Sequence, residues 1–187
     1  VGMDRVNETQ ILQYNGAFQK VVGLDRFPDQ TAIRRFLKRL TPSHIRQIAR
    51  LHELLRRMFF DRPSPRTSLI FDIDSTVVVI YGRMIEGARV GYNPKKHGRR
   101  SYHPLLAFES RFQEFWHGTL RPGDAGAATG AKPFIRVCLA KVPKHIPRSR
   151  VRFRADSGFY GRRVVEFLDE EGCGFVIVAV ERAPVKD

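Results

Sequence analysis

The sequence predicts an α/β fold: a mixed β-sheet flanked by helices and preceded by a small helical region. Three observations carry this. Apolar residues recur with a helical period through the first sixty positions, the period switches to two at Leu69, and strand-like and helix-like segments then alternate along the rest of the chain.

The helical part has its own punctuation. After Phe27-Pro28-Asp29-Gln30-Thr31, a stretch suited to capping, Ile33, Phe36, Leu37 and Leu40 share one face, while Arg34, Arg35, Lys38 and Arg39 point elsewhere. Thr41 suits an N-cap and Pro42 the first helical position, where the N–H that proline lacks would be unpaired anyway. Ile45, Ile48, Leu51, Leu55 and Met58 carry the stripe to about Phe60. Two short basic helices in succession fit a helix-turn-helix as well as a helical subdomain packed against a sheet, because nothing in the spacing marks one of them as a base reader. Asp61-Arg62-Pro63-Ser64-Pro65 breaks the pattern, which divides the chain into a basic helical region over 1–62 and an α/β region over 67–187.

In Leu69-Ile70-Phe71-Asp72-Ile73-Asp74 the apolar Leu69, Phe71 and Ile73 share one face of a strand, and Ile70, Asp72 and Asp74 the other. Val77–Tyr81 reads as a second strand and Phe112–Leu120 as a third, with Gly91–His103 irregular between them. Trp116 and Phe115 are assigned to core packing. A helix follows over Ala131–Val142 with Phe134, Ile135, Cys138 and Leu139 inward. Val151–Ala155 alternates apolar residues with Arg152 and Arg154 and ends at Asp156. A helix over about Arg162–Glu171, a stop at Gly172 and a strand at Phe175–Val180 complete the succession.

Composition narrows the function classes. The 187 residues include 33 Lys and Arg against 19 Asp and Glu, a net charge of +14, which argues against an acidic or neutral metabolic enzyme. Hydrophobic residues make up 42%, with 14 Phe, enough for one ordinary core and too many for a disordered chain. The excess charge sits at the two ends: residues 1–66 carry 13 basic against 6 acidic groups, and residues 127–187 carry 12 against 7. A polyanion is the natural partner, since each neutralised phosphate releases condensed counterions; a solvated basic surface is the alternative. The longest apolar runs are strand-length, so no membrane span is expected. The start, Val1-Gly2-Met3-Asp4, has no secretory pattern, and a cytoplasmic location is expected. Cys138 and Cys173, far apart, read as reduced structural thiols.

Two strand ends carry the chemistry. Asp74 ends one buried strand and is followed by Ser75 and Thr76; Asp156 ends another and leads into Ser157-Gly158. Carboxylates from neighbouring strands, completed by water, suit Mg²⁺ or Mn²⁺, which take hard oxygen ligands. Asp72, on the same strand face as Asp74, is a candidate auxiliary ligand. Lys95, Lys96, Arg99 and Arg100 form a basic loop, and Lys141, Lys144, Arg148, Arg150, Arg152 and Arg154 follow one another with no acid between them. Both runs fit phosphate contact or plain solvation. No glycine-rich phosphate loop is present, so no nucleotide cofactor is indicated.

Several of these segments, in this order, resemble a known family. Leu69 to Thr76, Val90-Gly91-Tyr92-Asn93-Pro94-Lys95, Ser101-Tyr102-His103-Pro104-Leu105 and Arg154-Ala155-Asp156-Ser157-Gly158-Phe159 resemble the DDE transposases of bacterial insertion sequences. Pro28-Asp29-Gln30-Thr31 followed by Arg35-Phe36-Leu37 resembles the helical region upstream of their catalytic domain. The resemblance implies an RNase H-like fold, a divalent-metal site with Asp74 and Asp156 as first and second catalytic aspartates, and cutting and joining of double-stranded DNA at transposon ends and target. It also implies a third acid, a glutamate on a helix well downstream of the second aspartate. Only 31 residues follow Asp156. Glu166, Asp169, Glu170, Glu171 and Glu181 stand outside that context and read as solvated charges.

The chain is therefore expected to be the N-terminal and partial catalytic region of such a transposase, with the C-terminal part of the core missing. Self-association through apolar surface near Phe175–Val180 is expected, and cleavage without a third carboxylate is expected to be poor. A non-catalytic DNA-binding module and an RNase H-like nuclease unrelated to transposition are the rival readings.

Overall fold

The computed structural model describes residues 6–62, 68–82, 85–91, 93 and 96–179. Positions 63–65 of the expected linker, Tyr92, Pro94 and Lys95 of the motif segment, and Val180 and Glu181 lie outside the described residues. The chain divides into two units, Val1–Phe59 and Phe60–Asp187.

The first unit is helical. A 3-10 segment over Val6–Tyr14 leads into α1 (Gly16–Val21), α2 (Gln30–Lys38) and α3 (Pro42–Phe60). The caps fall where the sequence places them. Asp29 accepts the backbone N–H groups of Thr31 and Ala32 at 2.7 and 2.9 Å, and Pro42 opens α3 behind Thr41. Arg34, Arg35 and Lys38 are exposed on α2, and Arg39 caps its C-terminus.

The second unit is built on a five-stranded sheet. β1 (Leu69–Ser75), β5 (Leu105–Glu109), β6 (Glu114–Thr119), β7 (Val151–Ala155) and β8 (Gly174–Ile177) lie in the order β6-β5-β1-β7-β8. β5 is antiparallel to both β1 and β6, whereas β1, β7 and β8 run parallel. α4 (Ala131–Ala140) and α5 (Arg162–Glu170) supply the crossovers. This is the mixed sheet flanked by helices that the sequence predicts. Phe134, Ile135, Cys138 and Leu139 of α4 and Val164, Phe167 and Leu168 of α5 are buried with Leu69, Phe71, Ile73, Val151 and Phe153 of the sheet. Trp116 is fully buried, donates Nε1–H to the Cys138 carbonyl at 3.0 Å and meets the Phe71 ring at 4.8 Å. Cys138 and Cys173 are both free and buried.

The order of strands corrects part of the sequence reading. Val77–Tyr81 shrinks to β2 (Val78–Val79), which joins β3 (Arg89–Val90) and β4 (Arg100–Tyr102) in a separate three-stranded sheet of order β2-β4-β3. The second strand of the main sheet is β5, which the sequence hid because its inward positions are Leu105, Ala107 and a charged Glu109. Glu109 is fully buried and accepts the N–H groups of Arg111 and Phe112, both at 3.0 Å, so its carboxylate builds the β5–β6 turn. The pairing slips between Ala107 and Phe108, which leaves Trp116 as the unpaired residue of a bulge. Phe115 consequently sits on the open face, 41% exposed, beside Phe108 instead of in the core. The last strand is shorter than expected and leaves Val176 and Val178 exposed.

Phe71 is the centre of the core, its ring 4.8 Å from Trp116 and 5.2 Å from Phe153. Replacing it with Ala is expected to remove about 3–5 kcal/mol of stability in urea unfolding. A loss below about 1 kcal/mol would mean that this cluster does not hold the sheet together.

Candidate metal centre and nucleic-acid face

β1 and β7 are adjacent and parallel, and their register decides where the acids stand. Ile70 faces Arg152, Asp72 faces Arg154 and Ile73 faces Ala155. One step further along each strand come Asp74 and Asp156. Neighbouring strands run about 4.8 Å apart, so the two carboxylates leave the same end and the same face of the sheet as next neighbours.

Each carboxylate is oriented by its own turn. Asp74 Oδ1 accepts the Ser75 N–H at 2.7 Å, and Asp156 Oδ1 accepts the Gly158 N–H at 3.0 Å as the cap of a 3-10 turn over Ser157–Phe159. Both residues are exposed, and neither makes an ion pair among the described residues. Two neighbouring anions with no counter-ion among the described residues repel each other and offer hard oxygen atoms to a cation, so the donor set fits Mg²⁺ or Mn²⁺. Among the described residues no group of three His, Cys, Asp or Glu is placed to hold a metal.

Asp72 is engaged otherwise. Its two oxygens accept Nε–H and Nη2–H of Arg154 at 2.6 and 2.7 Å, and Nη2 also donates to Ser110 Oγ at 2.6 Å. That bidentate pair takes one lone pair on each Asp72 oxygen, so the carboxylate expected as an auxiliary ligand is engaged first with Arg154. It also removes Arg154 from the phosphate-tracking run. Sequence reading missed the pair, although a signal was present: Asp72 to Arg154 spans the same 82 positions as Asp74 to Asp156.

The expected basic residues separate into different places. Arg148 and Arg150 form a turn at the start of β7, six or more residues before Asp156 and so roughly 20 Å away along the strand. Arg148 donates to the Leu139 carbonyl at 2.9 Å, a cation on the end of α4. Arg152 lies on the exposed face of β7, its stem against Gly174.

The three-stranded sheet begins two residues after β1 and therefore stands at the carboxylate end. It carries exposed Lys96, Arg99 and Arg100, and Lys96 also bonds the Tyr81 hydroxyl. A groove of about 470 Å³ is lined there by Ile80, Tyr81, Gly82, Gly98, Arg99 and Arg100. Gly91 packs directly on Gly123, where a Cβ would come within 1.8 Å of the Gly123 carbonyl oxygen, and Arg89 pairs with Asp124 at 3.2 Å. Those contacts fasten the basic sheet to the segment after β6.

The sequence profile described as transposase DDE domain group 1 matches residues 1–186. The chain belongs to that family. No curated protein matches it. Among solved structures, the DDE domain is similar to the piggyBac transposase in a synaptic complex with hairpin DNA. That match has 19% identity and a TM-score of 0.43 and covers 61% of this chain and 23% of that one. It is also similar to the Mos1 transposase in a pre-cleavage transpososome, at 13% identity and a TM-score of 0.42 over 94% of this chain and 59% of that one. The Mos1 mariner paired-end complex with Mn gives 15% and 0.40 over 94% and 59%. The chain thus spans under two thirds of the solved proteins it matches. No helix among the described residues is long and apolar enough to cross a membrane.

The Arg154 guanidinium holds the Asp72 carboxyl below its ordinary pKa, outweighing the partial burial that pushes it up. A depressed folded pKa stabilises the fold above the unfolded value, near 3.9 for Asp, and that stabilisation is lost as pH falls through the folded value. Asp72→Asn is therefore expected to lower the melting temperature slightly at pH 6, with the difference closing below about pH 4. A difference that grows on acidification would contradict the pairing.

Proposed function

We propose that this DDE domain cuts and joins DNA at transposon ends, with Asp74 and Asp156 holding a divalent cation, Mg²⁺ or Mn²⁺. The observation that carries the reading is the pair of carboxylates, without a counter-ion among the described residues, in register at the ends of adjacent parallel strands. A bound cation of this class polarises a phosphoryl oxygen and eases deprotonation of the attacking water or hydroxyl. The protein's own residues do the rest. Ser75 and Gly158 N–H groups fix one oxygen of each carboxylate, and the other oxygen is the one that takes the ion.

Lys96, Arg99 and Arg100 at the carboxylate end of the sheet neutralise phosphates, a role the sequence also gives to Lys95. Hydrolysis frees a 3′-hydroxyl at the transposon end. In joining, that hydroxyl oxygen bonds to a target phosphorus and gives its proton to solvent, while the target P–O3′ bond breaks and the leaving 3′-oxygen takes a proton from solvent. Double-stranded DNA is the partner, and the cytoplasm is the location. Arg34, Arg35, Lys38 and Arg39 supply a second DNA contact from α2, and Arg150 and Arg152 a third from the far end of β7.

Two measurements test this. Titration with Mn²⁺ is expected to show weak binding that falls at least about tenfold in Asp74→Ala and in Asp156→Asn, as loss of a ligand requires. Equal binding by wild type and variants would refute the metal assignment. DNA binding followed by anisotropy over a salt series is expected to give a slope of log K against log salt near −5, for about six phosphates contacted. A slope near zero would leave the basic excess as solvated surface. DNA binding that is metal-independent, with no cleavage of labelled end DNA in Mn²⁺ by the full-length protein, would favour a binding module over a transposase.

A further inference from the structure

Arg121 follows β6 and is 7% exposed. Its guanidinium makes no ion pair among the described residues; Nε and Nη1 donate to main-chain carbonyls, and Nη2 is buried without a partner among those residues. Nε–H donates to His103 O at 2.8 Å, and Nη1 donates to Gly126 O at 3.2 Å, Ala127 O at 3.0 Å and Thr129 O at 2.5 Å. One buried cation therefore gathers two segments remote in sequence.

Each segment leads to one aspartate. On the first side, the residue after His103 is Pro104, whose carbonyl accepts the Thr76 N–H at 3.3 Å, two residues beyond Asp74. On the second side, Ala127 lies against Gly158, two residues beyond Asp156. A Cβ on Gly158 would come within 2.8 Å of the Ala127 methyl, so that contact leaves no slack. The Gly158 N–H is the group that orients the Asp156 carboxylate. The His103 ring reinforces the join by bonding the Ala125 carbonyl through Nδ1 at 2.6 Å.

We propose that Arg121 is a positioning residue for the carboxylate pair, bracing the turns after Asp74 and Asp156 against each other through His103-Pro104 and Ala127. The inference rests on the metal reading for its consequence, and on geometry alone for the brace. A guanidinium suits the task because its planar fork serves several acceptors at fixed angles, which an ammonium on a flexible stem does not. The chemistry is sensitive to such support, since loss of groups that orient metal ligands weakens metal binding roughly 10- to 100-fold.

The test uses the 187-residue chain with Arg121→Met, Arg121→Lys and Gly158→Ala, whose added methyl would press on Ala127 at 2.8 Å and on Asp156 Oδ1 at 3.1 Å and so marks the effect of displacing that turn directly. Arg89→Ala serves as a control, because it cuts the neighbouring ion pair with Asp124 and leaves the brace intact. Amide hydrogen exchange is read at Thr76 and Gly158 and, for the sheet centre, at Phe71 and Phe153. Mn²⁺ affinity is read by electron paramagnetic resonance beside Asp156→Asn.

In the Arg121 variants, exchange at Thr76 and Gly158 is expected to quicken about tenfold or more with the sheet centre unchanged. Mn²⁺ affinity is expected to fall about tenfold, with lysine restoring little. Gly158→Ala is expected to reproduce the effects at Gly158 and on Mn²⁺, and Arg89→Ala neither. Equal quickening at all four amides would reduce Arg121 to general stability and overturn the proposal. So would exchange and affinity both within twofold of wild type. If Arg121→Met does not fold, Arg121→Lys decides by the same criteria. If wild type binds Mn²⁺ no better than Asp156→Asn, the metal reading fails, and the local exchange pattern alone decides whether the brace exists.

Discussion

The parallel pairing of β1 with β7 is the constraint on which the rest of the structure depends. Its register places Asp72 opposite Arg154, and the side-chain pair locks that register from the exposed face while Phe71 and Phe153 lock it from the buried one. A slip of one residue would turn every side chain of one strand to the wrong face. It would bury Arg154 and set Asp74 against Ala155. The position of two acids is thus a consequence of packing and pairing several residues away, and the acids themselves contribute nothing to it.

Charge is arranged along this frame by distance from the strand ends. At the carboxylate end the basic residues Lys96, Arg99 and Arg100 lie with the three-stranded sheet, fastened through Gly91, Gly123 and the Arg89–Asp124 pair. At the opposite end Arg148 and Arg150 stand where β7 begins. A DNA path over the open sheet face would meet phosphate-neutralising groups at both ends and the carboxylates at one. The same face carries the neutralised Asp72–Arg154 pair at its middle, so the carboxylates without an ion pair among the described residues are those at the strand ends.

How much of this was legible in the sequence depends on what each segment competes with. Leu69–Asp74 and Val151–Asp156 could be read because their alternation is clean and each ends on an acid, and the capping of α2 and α3 could be read because Asp29 and Thr41-Pro42 have local mechanisms. β5 was hidden by Glu109, a charge at a core position whose partners are backbone N–H groups of the following turn. Val77–Tyr81 has the composition of a strand but pairs outside the main sheet, which no local pattern records. Arg154 looked like one more member of a basic run because its partner lies 82 positions away. Arg121 was silent for a similar reason, since its four acceptors are carbonyls that carry no side-chain signature.

The central claim is that Asp74 and Asp156 share one divalent ion because the strand register brings them together. Paramagnetic broadening of amide resonances by substoichiometric Mn²⁺ tests it most directly, because the Ser75 and Gly158 N–H groups each touch one carboxylate. The account predicts that both signals disappear together at the first additions, and that Asp74→Ala or Asp156→Asn protects both. Broadening of one signal without the other, or of neither while distant amides are affected, would contradict a shared site.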